Sequence, residues 1–364
     1  MSKRRSRGEG TIYQRKDGLW LGQITFPDGK RKSKYAKTQK EARDWLHEQR
    51  QSVRTQSWTS DETLTVTEFL ERYLTDVAAP TVRPRTLESY TWLVKNHIEP
   101  PLGSVRLTRL TPQRVQAFYA EKLKAGLSPT TVNHIHNVLH RCLEQAVRWG
   151  LVPRNVTDLV DAPQFKRKAP TVWTVEQARV FLEAARSHRL YALYVLAIYT
   201  GMRQGELLGL QLDDVDWATG TINVQHSLQT LRSKAQLLST PKTEKSRRRI
   251  TLPAPARAAL EEHTRVLKRK QGYVFVSLVD TPLLPHSVID AFKRIIKQAG
   301  LPEIRFHDLR HTCATLHLLA GTNPKVVQDL LGHSTITLTL DTYSHILPGI
   351  QEDAAERMGR LLGG

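Results

Sequence analysis

The segment that decides the fold reads HDLRH at residues 307–311. His307 and Arg310 are three positions apart, so on a helix they share one face, and His311 lies on the same charged side. Leu309 points away toward the core. A histidine and an arginine at this spacing are structural in most proteins. The segment therefore indicates a function only in combination with other motifs.

Three further motifs carry side chains suited to phosphate chemistry. Each of them alone is typical of a solvated loop, an ion-paired arginine or a packed aromatic ring. They contribute Arg203 at the end of an apolar helix, Lys242 after a proline, and His333 with Tyr343 ten residues later. The segments are TGMRQGELL (200–208), TPKTEKSRRR (240–249), and LLGHS (330–334) with DTYSH (341–345).

The order of these motifs, GxR, PK, HDLRH, LGH and then Tyr, resembles the tyrosine recombinase or phage integrase family, which includes lambda integrase and the Xer recombinases. The resemblance covers roughly residues 173–348. It implies a mainly α catalytic domain with a small β-sheet, the α+β fold of DNA breaking and rejoining enzymes. Because the motifs fall in the family's order and at similar separations, their combination is far more specific than any one of them.

The resemblance also implies a catalytic set. Tyr343 would attack the phosphorus and form a 3′-phosphotyrosyl ester, Lys242 would protonate the leaving 5′-oxygen, and Lys245 is a nearby rival for that role. Glu206 would orient Arg203, and His311 would support its helix. The implied catalytic residues are Arg203 and Arg310 for the phosphate oxygens, Lys242 as acid, His307 for proton removal, His333 as a phosphate hydrogen-bond donor, and Tyr343.

These residue types suit the chemistry independently of the family name. Breaking a phosphodiester without metal or nucleotide requires a nucleophile, a proton for the leaving oxygen and positive charge around the phosphorane. A planar guanidinium can hold two phosphate oxygens at once. A lysine with a pKa of ~10.4 can donate a proton at neutral pH, and a histidine near ~6.5 can work either way. No cofactor, metal ion or ATP is expected.

Two alternative sites are less well supported. Histidines 307, 311, 317 and 333 could suggest a metal site, but the carboxylate and cysteine partners of a zinc or magnesium centre are not grouped with them. The glycines of residues 201–205 lack the lysine and spacing of a phosphate-binding loop.

Composition points to a polyanionic partner. The 364 residues include 54 Lys and Arg against 35 Asp and Glu, a formal charge of +19 spread along the chain. Cys142 and Cys313 are far apart, so neither a disulfide framework nor a thiolate zinc site is indicated. The longest apolar run, residues 190–199, is shorter than the ~18 residues of a membrane span. We expect a cytoplasmic, nucleoid-associated protein.

Residues 1–58 predict a small module of three strands and a helix. Asp17-Gly18 is typical of a hairpin turn, and Thr38 with Glu41 forms a capping box that begins the helix. Its aromatic residues could simply form a small core, whereas its positive charge favours phosphate contact. This module resembles the arm-type DNA-binding domain of phage and mobile-element integrases.

Residues 62–161 predict an all-α domain, which resembles the helical, SAM-like core-binding domain of the family. Thr65 with Glu68 begins its first helix, and Ser128 caps the clearest one. Basic side chains on its polar faces could grip DNA or could be merely solvated: Arg83, Arg85, Lys95, Arg106, Arg109 and Lys124.

A proline-bracketed linker, residues 162–172, leads to the catalytic domain at 173–348. Trp173 and Thr174 are predicted to open its first helix, with Gln177 completing a capping box. Strands are predicted at Thr221–Val224 and Arg249–Leu252, on either side of a long polar segment. Residues 349–364 form an amphipathic tail that could dock on a neighbouring protomer or fray.

The resemblance implies an integrase of a prophage or integrative element that performs site-specific recombination. Its expected partners are double-stranded DNA at core and arm sites, held in a C-shaped clamp, three further copies of the chain, and possible host DNA-bending and excision factors. Two alternatives remain open: a catalytically inactive DNA-binding regulator, and a type IB topoisomerase-like enzyme.

Overall fold

The structure, a computed structural model, describes residues 10–26, 31–54, 63–165, 170–231, 236–239, 247–267, 271–332, 335, 355–356, 358–360 and 362. The chain divides into two compact units, residues 1–166 and 167–364. No helix in the described ranges is long and apolar enough to cross a membrane. The domain boundaries given above stay predictions.

The N-terminal part of the first unit is an antiparallel sheet in the order β1-β2-β3 covered by one helix. The elements are β1 (Thr11–Gln14), β2 (Trp20–Thr25), β3 (Arg31–Ala36) and α1 (Gln39–Arg54). Helix α1 begins after Thr38, whose hydroxyl accepts a hydrogen bond from the Glu41 amide at 3.2 Å. The sheet and the helix share a small core of their own, formed by Ile24, Phe26 and Leu46.

The strand register shows which side chains share each face of the sheet. A Cβ added at Gly22 would lie 3.0 Å from the Trp45 ring, so the face that carries Gly22 lies against α1. Neighbouring residues point to the opposite face, where Tyr13, Leu21 and Tyr35 stand in register across the three strands. Both tyrosines of that row are exposed.

The rest of the first unit is helical, as predicted. Thr65 and Glu68 form a complete capping box, and the Ser128 side chain caps the 20-residue helix whose apolar stripe is buried. Two helices each widen into a π-helical segment. The elements are α2 (Val66–Arg72), π-helical Tyr73–Ala78, α3 (Ala79–Thr81), α4 (Pro84–Leu93), π-helical Val94–Ile98, α5 (Glu99–Leu102), 3₁₀ Leu107–Arg109, α6 (Pro112–Lys124), α7 (Pro129–Arg148) and 3₁₀ Val156–Leu159.

The second unit surrounds an apolar helix with other helices and two small sheets. Its elements are α8 (Val175–Ala184), α9 (Tyr191–Thr200), α10 (Gln204–Leu208), 3₁₀ Leu212–Asp214, β4 (Val215–Asp216), β5 (Thr221–Val224), β6 (Ser227–Thr230), β7 (Gln236–Ser239), β8 (Arg248–Thr251), α11 (Ala254–Leu267), α12 (Pro285–Gln298), α13 (Asp308–Leu319) and α14 (Pro324–Leu331). Strands β4, β5 and β8 form one antiparallel sheet, and β6 pairs with β7.

Helix α9 is apolar on almost every side because it is the centre of this unit. Eight of its ten residues are buried. An aromatic cluster packs beside it, with the Phe181 and Tyr194 rings 5.4 Å apart and the Phe181 and Phe292 rings 5.2 Å apart. Trp173 joins this cluster through Phe181 and donates its ring N–H to the Pro302 carbonyl.

The structure departs from the sequence predictions at several element ends. Trp173 lies before the first helix, which begins at Val175 with Thr174 as N-cap and a Gln177 capping box. The last strand begins at Arg248 rather than Arg249. The polar segment between the two predicted strands contains the hairpin β6-β7. Its strands are rich in Ser, Gln and Thr, so they lack the apolar alternation that reveals a half-buried strand.

Candidate active site

The junction between α9 and α10 begins the site. Gly201 ends α9 in the left-handed conformation, with φ +60°, and a Cβ at this position would lie 2.5 Å from the Leu331 Cδ2 atom. The end of α9 therefore lies directly against α14, so close that an added Cβ would have to displace the Leu331 side chain. Arg203 follows as the extended residue before α10 and points its side chain toward the same helix end.

A buried carboxylate holds Arg203 in place. Glu206 is only 3% exposed, and its oxygens accept hydrogen bonds from the Arg203 Nη1 at 2.8 Å and the Arg203 backbone amide at 2.9 Å. Arg248, at the start of β8, donates to the same carboxylate from Nη2 at 2.9 Å and from Nη1 at 3.2 Å. Burial alone would raise the pKa of Glu206, but hydrogen bonding and charge from Arg248 and then the charge of Arg203 outweigh it, so the pKa is lowered.

Helix α13 supplies the second predicted arginine. Arg310 is only 3% exposed, and its guanidinium donates to the Gly201 carbonyl at 2.7 Å and to the Leu331 carbonyl at 2.6 Å. His307 is the residue immediately before α13 rather than a member of its first turn. The buried Asp308 fixes this helix start by accepting hydrogen bonds from the backbone and side chain of Arg305.

Three arginines meet at the C-terminal end of α14. The last carbonyls of a helix lack partners within the helix and must find them elsewhere. Here the carbonyls of Leu330, Leu331 and Gly332 accept hydrogen bonds from Arg248 at 2.6 Å, Arg310 at 2.6 Å and Arg203 at 3.4 Å, respectively. One helix end thus gathers guanidinium groups from three different elements.

His307 lies within the electrostatic reach of both predicted arginines. Although the residue is exposed at its surface, partial desolvation of its ring, followed by His311, Arg310 and Arg203, lowers the pKa of His307 to about 4, and Asp308 opposes this shift. The ring of His311 packs edge-on against it, with centroids 5.2 Å apart. At neutral pH His307 is therefore a neutral imidazole, which can accept a proton.

Half of the predicted catalytic residues belong to this arrangement. The structure brings together Arg203, His307 and Arg310, with Glu206 beside Arg203 and His311 beside His307. Lys242, its rival Lys245, His333 and Tyr343 lie outside the described residues. Within the described ranges no group of three or more His, Cys, Asp or Glu side chains could hold a metal ion.

Arg248 is the member of the site that sequence reasoning missed. It lies in the run Arg247-Arg248-Arg249, where residue type alone does not distinguish one arginine from its neighbours. The distinguishing signal is strand alternation: in β8, Ile250 is buried, and Arg248 is two positions before it and so shares its face. Arg249 points to the other face and pairs with Asp216 near the surface.

Comparison with known proteins identifies the family. Residues 172–349 match the phage integrase family, and residues 65–123 match the phage integrase N-terminal SAM-like domain. An integrase of Streptomyces ambofaciens is 31% identical over 379 residues, covering 97% of this chain and 97% of the relative. The chain belongs to the phage integrase family.

Two further matches agree with this membership. A XerC-like tyrosine recombinase of Caldanaerobacter subterraneus subsp. tengcongensis is 27% identical over 359 residues, covering 91% of this integrase and 92% of the relative. The Tn1549 transposon integrase, solved in complex with a circular intermediate DNA, shares the fold with a TM-score of 0.69 and 22% identity, covering 81% of this chain and 99% of that one. The predicted family, fold class and enzyme class, a tyrosine-type recombinase, are confirmed.

Proposed function

We propose that this integrase cuts one DNA strand with Tyr343 and rejoins it to another strand at a specific site of a prophage or integrative element. The observation that carries the proposal is the meeting of Arg203 and Arg310 at the end of α14, with His307 within the electrostatic reach of both. The backbone after this end continues directly into His333, and Tyr343 follows ten residues later.

The two arginines suit the phosphate. A phosphorane carries extra negative charge on its non-bridging oxygens, and guanidinium groups held in advance stabilise it without reorganising. The side chain of Arg203 is 39% exposed, although three of its N–H groups, including the backbone amide, already donate hydrogen bonds within the protein. Arg310 is held more rigidly, because two buried carbonyls set its orientation.

The proton transfers balance with the remaining residues. The Tyr343 oxygen forms a bond to phosphorus while the bond from phosphorus to the 5′-oxygen breaks. The phenol proton passes to the neutral imidazole of His307, and the departing 5′-oxygen takes a proton from the Lys242 ammonium. His333 hydrogen-bonds the phosphate. The 3′-phosphotyrosyl ester conserves the energy of the broken bond, so the 5′-hydroxyl of a partner strand can reverse the step.

The first unit would recognise the DNA on which the reaction takes place. We propose that the helical domain grips the core site and that the N-terminal sheet binds separate arm sites. The exposed row of Tyr13 and Tyr35 supports this assignment, with Arg15 placed 5.0 Å above the Tyr35 ring. As in the family it resembles, the active assembly is a tetramer on two duplexes in the bacterial nucleoid, assisted by DNA-bending and excision factors.

A suicide substrate tests the chemistry. The ends of the mobile element are mapped around the coding sequence, and a duplex of that sequence is nicked close to the cut so that the released fragment diffuses away. We expect the integrase to become covalently joined to this DNA, as a band that survives denaturing electrophoresis. Tyr343→Phe should bind the same DNA with unchanged affinity and form no adduct, because it lacks the nucleophilic oxygen.

Adduct formation and plasmid relaxation together distinguish the two alternatives. A DNA-binding regulator built on this scaffold would give no adduct with any duplex. A type IB topoisomerase-like enzyme would relax supercoiled plasmid irrespective of sequence, and the arm-type module would then have no role. Adduct formation restricted to the element ends supports the recombinase.

A further inference from the structure

Arg248 is one of the most buried charged groups of the site. Its side chain is 6% exposed. All three nitrogens of its guanidinium are committed to neighbours: Nη1 and Nη2 to the Glu206 carboxylate, and Nε to the Leu330 carbonyl. The guanidinium of Arg248 therefore contacts the same carboxylate, Glu206, that orients Arg203.

Counting charges shows what this contact achieves. Glu206 carries one negative charge between two guanidinium groups, so the trio has a net charge of +1. With Arg248 neutralised, the positive charge of Arg203 would be cancelled by the buried carboxylate that holds it. Charges in a poorly hydrated site interact strongly, so this cancellation would directly weaken the attraction for a phosphate.

Arg248 also connects two parts of the catalytic set. It begins β8, the strand that follows the segment carrying Lys242, and it holds the Leu330 carbonyl at the helix end that precedes His333. The two carbonyls that come next along the chain are held by Arg310 and Arg203. The same side chain therefore fixes the strand and the helix end relative to Arg203.

We propose that Arg248 is a positioning residue for strand cleavage: by neutralising Glu206, it leaves the charge of Arg203 available to the scissile phosphate. This inference rests on the proposed recombinase function. It predicts that the effect of removing Arg248 depends on the presence of the Glu206 carboxylate. A role exerted only through the Leu330 carbonyl would have no such dependence.

A double-mutant cycle on the full chain tests this dependence. The single-turnover rate of adduct formation with saturating suicide substrate is measured for wild type, Arg248→Gln, Glu206→Gln and the double variant. In the wild-type background we expect Arg248→Gln to lower the rate by about 10- to 100-fold while the Kd for the DNA changes by less than about threefold. In the Glu206→Gln background, where no carboxylate needs neutralising, the same substitution should lower the rate by about threefold or less.

Arg249→Gln is the matched control, since it removes the neighbouring positive charge from a surface pair with Asp216 and should cleave at the wild-type rate. If Arg248→Gln does not fold, the two Glu206→Gln variants decide the question. A loss of more than about threefold between them overturns the proposal, as does a wild-type rate for Arg248→Gln. Failure of the wild-type protein to form an adduct would instead refute the recombinase function itself.

Discussion

His307 depends on its surroundings for the neutral state that the proposed proton transfer requires. Desolvation of the ring, His311 and Arg310 lower the pKa of its imidazole from 6.5 to about 4, so it is neutral at pH 7. In an NMR pH titration of the DNA-free integrase, we expect the His307 ring signal to shift with a midpoint near about 4, and His307→Gln identifies that signal. A midpoint near the ordinary value of 6.5 would show that the surroundings of His307 do not lower its pKa.

The same pKa makes stability depend on pH. Because the folded pKa of His307 is below its unfolded value, the unfolded chain binds more protons between pH 6.5 and about 4. The free energy of unfolding therefore falls as the pH is lowered through this window. The ring keeps part of its surface in solvent, so screening limits the effect to the order of 1 kcal/mol.

Urea unfolding at about pH 7 and about pH 4.5 measures this loss for the wild-type protein and for His307→Gln. Glutamine does not titrate, so the variant should lose less stability on acidification. An equal fall in both proteins would show that other groups, such as His311, whose pKa is also lowered by burial, carry the whole dependence.

At the scale of elements, the junction of α9 with α14 determines where Arg203 and Arg310 meet. Gly201 combines a positive φ with a contact that leaves no room for a Cβ. Gly300 has nearly the same φ, +64°, but nothing within 4 Å of its added Cβ. Substitutions at both glycines meet the cost of a left-handed backbone, but only a substitution at Gly201 also meets the cost of displacing a neighbouring side chain. Comparing the two positions therefore distinguishes these two costs.

We expect Gly300→Ala to lower the free energy of unfolding by about 1 kcal/mol, the cost of the left-handed conformation alone. Gly201→Ala adds displacement of the Leu331 side chain and should cost about 3 kcal/mol. Because Leu331 also offers its carbonyl to Arg310, Gly201→Ala should slow adduct formation, whereas Gly300→Ala should not. Chemical denaturation and the suicide substrate measure the two effects, and equal losses in both variants would refute the crowding argument.

The sequence was informative where local chemistry decides the structure. The capping residues Thr65, Ser128 and Thr174 begin helices as predicted, because a side-chain acceptor for the first amides is a local property. The apolar run of residues 190–199 predicted the apolar helix observed as α9, which is again a property of a short stretch of sequence. The meeting of Arg203, Arg310 and Arg248 was not predictable in this way, since it depends on contacts between segments 21 to 129 residues apart.

At the scale of the whole molecule, the charge of +19 is distributed over regions with different tasks. In the candidate active site the guanidinium groups lie at fixed distances, so their proposed effect on the phosphate depends on geometry. The N-terminal sheet carries exposed aromatic and basic side chains on the face that turns away from α1. Such a face suits contact with a DNA groove. Its contribution should therefore concern affinity for DNA and leave the rate of cleavage unchanged.

Arg31 and Tyr35 allow this separation of tasks to be tested. Both are exposed, on the sheet face that turns away from α1, and Tyr35 is 57% exposed. We expect Arg31→Gln to weaken binding to arm-site DNA and to reduce the slope of log K against log salt concentration by about 1, as the loss of one phosphate contact requires. Tyr35→Ala should weaken arm binding with little change in that slope, since it removes no charge.

Lys40→Gln is the control, because it removes an exposed positive charge from α1, on the other side of the module. It should reduce arm-site affinity and the salt slope less than Arg31→Gln does. All three variants should form adducts with a substrate containing only the core site at the wild-type rate. If Arg31→Gln slowed that reaction, or if Lys40→Gln matched it in arm binding, the sheet face would not be the arm-binding surface.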